Sequence, residues 1–314
     1  MIALRDNALM HRLSPTQLWL LVGLTLIWGI NWPIMKLGVG SGFPPLSFRA
    51  MSMWIGIPVL AIGLVVLKVP FKIPHGDVDQ PFKFWRELLT LAVFNMFIWH
   101  GCIIVAMTLL SSGRAAILGY TMPIFSAILG AWFFADKLSA RGWLGVGSAA
   151  CGVMLLLTHE FGKLAGAPLG VLLALIAAST WALGTQMLRR TTMPVATLTI
   201  SFWMTVLTAI VMTILSIAIE QARWRMPSPT EWFSILFNAI LVFGFAHATW
   251  FYLARSLPPV ASTLSVMLIP ILGVFSGAIW LGEKLFWQDW AAVALMVVAI
   301  GSVLWPKRVA SSQR

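Results

Sequence analysis

Residues 123–143, PIFSAILGAWFFADKLSARGW, and residues 270–290, PILGVFSGAIWLGEKLFWQDW, decide how this chain is read. A shift of 147 positions lays Pro123 on Pro270, Gly130 on Gly277, Ala131 on Ala278, Asp136 on Glu283, Lys137 on Lys284, Leu138 on Leu285 and Trp143 on Trp290. In both stretches an apolar run opened by a proline ends in an acid-Lys-Leu turn, and a second apolar run follows at once. Self-similarity at a fixed offset means one structural unit written twice. The unit here is a pair of membrane helices joined by a tight polar turn.

Composition points the same way. The 314 residues are 60% hydrophobic and 10% charged, with a mean hydropathy of +0.90, far above a soluble chain of this size. A hydrocarbon core of about 30 Å needs roughly 20 apolar residues per helix, so the chain has room for about ten spans. Its apolar runs are continuous rather than alternating, which excludes a transmembrane β-barrel. The net charge of +11 sits at the ends of apolar runs instead of in one patch, so the lipid bilayer is the expected partner and nucleic acid is not.

The ten spans fall at about 18–38, 46–67, 88–110, 115–134, 140–157, 169–188, 196–219, 231–254, 259–281 and 286–304. Ser14-Pro15-Thr16-Gln17 and Ser228-Pro229-Thr230-Glu231 are helix start signals, each with a capping serine, a proline next and an amide or acid at the third helical position. Lys68 to Glu87 reads as a loop. The repeat reaches the front of each half, since Trp28-Gly29-Ile30-Asn31 aligns with Trp181-Ala182-Leu183-Gly184 and Leu46-Ser47-Phe48 with Ile200-Ser201-Phe202. Residues 1–160 and 161–314 therefore form two five-helix repeats, and because five is odd the second enters the membrane in the opposite sense. The expected fold is an all-α polytopic membrane protein of ten transmembrane helices in two inverted repeats. With the N-terminus inside, 14 of the 21 Lys and Arg lie in cytoplasmic segments and six in outer ones, Arg49 lying within a span. Both termini are then cytoplasmic.

Trp28-Gly-x-Asn31-x-Pro33-x-x-Lys36 and the doubled Pro-(x)12-Asp/Glu-Lys-Leu turn resemble the EamA family of the drug/metabolite transporter superfamily. Within it the chain is most similar to the ten-helix amino-acid exporters, in particular those of aromatic amino acids. The resemblance implies a bacterial inner-membrane exporter of amino acids or related metabolites, with a central cavity lined by spans one, three, four, six, eight and nine. The second copy departs from the pattern, with Gly184 where Asn31 stands and no proline matching Pro33. Inverted repeats build a site between the halves and expose it to each side in turn. A sugar-phosphate or nucleotide-sugar permease and an intramembrane His-dependent enzyme are the alternatives.

His100 and His247 are also 147 apart, and intramembrane ionisable residues suggest function by default. They are candidates for substrate binding or proton coupling, the competing reading being neutral rings bonded to neighbouring helices. All ten acidic residues lie in loops or at span ends, which favours facilitated diffusion over a carboxylate relay. Asn31 shares a helix face with Trp28, either lining a cavity or bonding a neighbouring helix. Pro123 and Pro270 would free the carbonyls of Gly119 and Val266 as site-lining kinks, with Tyr120 close by. Trp99 and Trp181, together with Trp28 and Trp250, lie well inside spans and suit stacking on an aromatic or apolar substrate. Arg49, near the outer end of the second span, could draw an anionic carboxylate, but reads rather as an arginine snorkelling to the interface. Asp136, Lys137, Glu283 and Lys284 read as braces of helix turns. Cys102 and Cys151 lie in apolar runs and indicate no disulfide or metal site. No phosphate-binding loop, nucleophile with a base or metal cluster stands out, so catalytic residues, cofactors and metal are not expected. The small residues of spans five and ten could pack within a monomer or build a homodimer.

Overall fold

Both start signals form. Ser14 Oγ accepts from the Gln17 amide at 3.1 Å while Gln17 Oε1 accepts from the Ser14 amide at 3.0 Å. Ser228 and Glu231 repeat the exchange at 3.4 and 2.7 Å. In the computed structural model, which describes residues 14–74, 81–134, 140–162, 168–256 and 259–304, these caps open the first and the tenth of thirteen α-helices.

The first half runs α1 (Pro15–Val39), α2 (Pro45–Val66), α3 (Lys83–Leu91), a π-helical segment π1 (Ala92–Phe97), α4 (Ile98–Leu109), α5 (Ser112–Gly119), α6 (Met122–Phe134) and α7 (Ala140–Gly162). The second runs α8 (Pro168–Arg189), α9 (Thr197–Glu220), α10 (Pro229–Phe237), π2 (Asn238–His247), α11 (Ala248–Ser256), α12 (Pro259–Leu281) and α13 (Trp287–Leu304). The described residues contain no strand. Seven helical stretches are long and apolar enough to cross a membrane: Pro15–Val39, Pro45–Val66, Lys83–Leu109, Ser112–Phe133, Pro168–Arg189, Thr197–Arg223 and Pro229–Ser256. Trp143–Leu155, Leu268–Leu281 and Trp287–Ala299 are shorter apolar helices.

Two expectations change. The 68–87 stretch is not wholly a loop, because α3 begins at Lys83 and its buried Leu88 and Leu91 face the bundle. The fourth span is not one kinked rod but two helices, α5 and α6, broken at Tyr120 and Thr121. Pro123 is the second residue of α6, where its missing N–H removes no intrahelical bond. Pro270, in contrast, lies inside the continuous α12. Asp136 and Lys137 lie outside the described residues.

The bundle closes through small residues. A Cβ at Gly29 of α1 would lie 2.6 Å from the Leu272 Cβ of α12, and one at Gly56 of α2 would lie 2.7 Å from the Ala239 carbonyl oxygen of π2. Backbones approach this closely only where side chains are minimal, as at membrane helix interfaces. α7 packs against α13 within the monomer. Trp19, Trp132, Phe133 and Ile279 remain on the outer surface, an apolar skin suited to acyl chains.

Carboxylates hold the helix ends. Glu283, in the turn between α12 and α13, accepts from the Ser112 amide at 2.7 Å, the Ser112 hydroxyl at 2.8 Å and the Gly113 amide at 3.2 Å, capping the N-terminus of α5. Glu220, the buried last residue of α9, accepts from the Leu46 and Ser47 amides at 2.9 and 2.8 Å and caps α2. Lys36 answers with the opposite sign, donating to the Met107 and Leu110 carbonyls at 2.8 and 2.7 Å where α4 ends. Arg225 grips Glu231 through two hydrogen bonds of 2.8 and 2.5 Å, and that pairing raises the Arg225 pKa above its usual value. Glu283 thus ties a turn in the second half to a helix in the first, whereas Lys284 beside it is exposed. Glu283→Ala should lower stability by about 1–3 kcal/mol, read as a lower melting temperature in detergent. Lys284→Ala should stay within about 0.5 kcal/mol of the parent.

Candidate functional site

Four side chains of α1, Trp28, Asn31, Trp32 and Met35, recur at helical spacing and turn one face inward. Opposite them stand Trp99, His100 and Ile103 of α4, Trp181 of α8, and Val242 and His247 of π2. Tyr120 and Met122 enter from the break between α5 and α6, and Arg49 from α2. Together they line a cavity of about 40 Å³, the scale of a few water molecules.

Aromatic rings form its walls. Trp181 packs on Trp99 with centroids 5.0 Å apart and edge-on to Trp28 at 6.1 Å. His100 and His247 meet at 4.9 Å. They are 147 residues apart, the offset that relates the two copies in the sequence, and their rings touch. Trp250 packs on Trp28 at 5.7 Å, behind the lining.

Each histidine follows or ends a π-helical segment, and the two segments correspond as well: residues 92 and 97 of π1 map onto 239 and 244 within π2. A π turn inserts an extra residue and re-aims the side chains after it, which is why such turns gather at functional sites. His247 Nδ1 bonds the Val242 carbonyl at 2.9 Å. A carbonyl can only accept, so the proton of the neutral ring is on Nδ1 and Nε2 is an acceptor.

Unpartnered polar atoms concentrate here. Asn31 Oδ1, Arg49 Nε, both nitrogens of His100 and Trp181 Nε1 are buried without a hydrogen-bond partner. Buried polar groups in proteins are nearly always bonded, so a cluster of unpartnered ones marks a place where a ligand or water completes the set. Among the described residues no cluster of His, Cys, Asp and Glu could hold a metal ion.

Of the residues singled out in the sequence, Trp28, Asn31, Trp99, His100, Tyr120, Trp181 and His247 are brought together. Pro123 and Pro270 are not part of the lining. Nor, among the described residues, is α12, although the family resemblance implies a ninth-span wall. Arg49 is the main correction: it does not snorkel but is 1% exposed, at the cavity. An arginine inside an apolar run was the available signal. The π segments carried no signal that periodicity could detect.

The glycine that replaces the family asparagine has a physical reason. Gly184 abuts Asn95 of π1, and Asn95 Oδ1 accepts from Thr185 at 3.3 Å. Residue 95 corresponds to Val242, so one interface sets Asn31 near valine and the other sets glycine against asparagine. The amide has changed helices.

Comparison with known proteins places these features. The sequence profile described as the EamA-like transporter family matches residues 16–158 and again 168–305. The uncharacterized inner membrane transporter YedA of Escherichia coli K12 is 26% identical over 92% of this chain and 92% of its own. The uncharacterized transporter YoaV of Bacillus subtilis is 23% identical over 84% of this chain and 88% of its own. A protein of Escherichia coli K12 named a probable amino-acid metabolite efflux pump is 22% identical over 88% and 91% respectively. One solved crystal structure covers 93% of this chain and 98% of its own with a TM-score of 0.67; at 20% identity it speaks for the fold alone.

Gly184→Ala tests the exchanged amide. The new Cβ would stand 2.7 Å from the Asn95 side chain and 2.8 Å from its backbone nitrogen. We expect a loss of about 1–3 kcal/mol in detergent melting, and no full rescue by Asn95→Ala, because the backbone contact stays.

Proposed function

Because the chain belongs to the EamA-like transporter family, we propose that it exports neutral amino acids, aromatic ones above all, or closely related metabolites across a bacterial inner membrane. The observation that carries this reading is the cavity: tryptophan walls that suit an apolar or aromatic side chain, and buried polar atoms left without partners. The relative named as an amino-acid metabolite efflux pump supports the substrate class.

The path is alternating access by two inverted five-helix repeats, residues 1–160 and 161–314, with ten spans and cytoplasmic termini. Helix packing supports the pseudo-two-fold. The pairing of α1 with α12 has its counterpart in that of α8 with α5 and α6. That of π1 and α4 with α8 corresponds to that of π2 and α11 with α1, while α2–α9 and α7–α13 map onto themselves. At about 40 Å³ the cavity is too small for an amino acid, so loading requires the halves to move apart. Transport is facilitative in this reading, since among the described residues no Asp or Glu lines the cavity and relays run on such groups or on histidine. No catalytic residue or cofactor is assigned.

The test is efflux from proteoliposomes with labelled phenylalanine, tryptophan, methionine, threonine and a sugar phosphate, with and without an imposed proton gradient. Saturable amino-acid efflux, changed less than about twofold by the gradient, is the expected result. Efflux that follows the gradient would defeat facilitation and bring His100 and His247 into the cycle. Sugar-phosphate flux without amino-acid flux would defeat the substrate assignment.

A further inference from the structure

Arg49 is the fifth residue of α2, fully buried, and faces the cavity. Its neighbours do little for its charge. Nη1 reaches Asn238 Oδ1 at 3.3 Å, Nη2 reaches the Met35 sulfur at 3.1 Å, and the Phe243 ring lies 5.5 Å from the guanidinium carbon. A neutral amide at the long end of hydrogen bonding, a thioether and a ring face are weak substitutes for an anion. Nε has no partner, and among the described residues no carboxylate pairs with Arg49.

Arg189 Nε is also buried without a partner, but away from the cavity, and three other cations are matched. Arg114 pairs with Asp289 at 3.2 Å, Arg225 with Glu231, and Lys36 with two carbonyls. A cation buried without an anion is costly, and it persists where function requires it. A planar fork with a free donor in a cavity walled largely by apolar and aromatic side chains fits a carboxylate, which it can hold through two parallel bonds.

The remaining polar atoms complement this. Asn31 Oδ1 and His247 Nε2 can only accept, so they repel a carboxylate and suit an ammonium group. We propose that Arg49 receives the α-carboxylate of a zwitterionic amino acid whose ammonium donates to Asn31 and His247 and whose side chain lies among the tryptophans. This rests on reading the cavity as the transport site, and it adds a requirement that the apolar walls alone would not impose: a free carboxylate.

The experiment is phenylalanine counterflow in proteoliposomes, with phenylalaninamide and phenethylamine as competitors that lack the carboxylate. Both should inhibit the parent protein about tenfold to a hundredfold more weakly than phenylalanine, the worth of a charge-assisted hydrogen bond. Arg49→Gln should raise the half-saturation for phenylalanine by a similar factor and leave inhibition by the amide unchanged, so that the preference disappears. Equal inhibition by acid and amide in the parent would overturn the anchor, even if the variant fails to fold. So would a folded Arg49→Gln protein with unchanged half-saturation. A parent protein that moves sugar phosphate but no amino acid would overturn the functional reading and the anchor with it. Phenylalanine flux with no preference for the acid overturns the anchor alone.

Discussion

In hydrocarbon a polar group has no water to turn to, so every buried donor and acceptor must find its partner inside the protein. The ends of broken and short helices make this demand most sharply, because each leaves several backbone groups unbonded. Here carboxylates meet it from a distance in sequence: Glu283 caps α5, Glu220 caps α2, and Lys36 takes the last carbonyls of α4. These bonds join helices that a packing argument alone would leave free to slide, and those of Glu283 and Glu220 connect the second half of the chain to the first. The break between α5 and α6 is satisfied locally, the Tyr120 and Thr121 amides donating to the Ala116 and Leu118 carbonyls and the Thr121 hydroxyl to Leu118 as well.

The same demand singles out the cavity. Around it the demand goes unmet: Asn31, Arg49, His100 and Trp181 each keep at least one buried polar atom without a partner. Other buried polar atoms go unpartnered, on Asn95, Arg189, Thr208, Trp250 and Gln288, but around the cavity several face one common space, which reads as reserved for something else. The reserved place lies where the copies meet, with His100 and His247 in contact across it. The correspondence is not complete. Asn31 and Asn95 supply amides from different helices, and Arg49 has no charged counterpart, since the alignment of Leu46-Ser47-Phe48 with Ile200-Ser201-Phe202 carries it onto Trp203. A pocket with one cation on one side and acceptors on another has a direction. That suits a molecule with two different ends.

Much of this was legible in the sequence, because the membrane constrains local chemistry so tightly. Hydropathy placed the seven helical stretches long and apolar enough to cross a membrane, Ser14 and Ser228 marked helix starts, and the paired histidines pointed to the cavity. What was hidden had physical causes. The π segments differ from α-helix by one residue per turn, too little for a hydrophobic pattern to register. Pro123 was taken for a kink because sequence does not say whether a proline stands inside a helix or at the start of a new one. Glu220 and Glu283 sit at span ends, where sequence distinguishes no cap from a solvated charge; their partners lie 174 and 171 residues away. Arg49 was misread because snorkelling and burial differ only in which way the side chain turns, and tertiary packing decides that.

The central claim, that the cavity between the copies is where an amino acid is held in transit, is tested most directly by a structure in lipid nanodiscs at saturating phenylalanine. The expected result is density for one amino acid among Trp28, Trp99 and Trp181, its carboxylate toward Arg49. Phenylalanine bound elsewhere while this cavity stays closed, in protein shown to transport it, would contradict the claim.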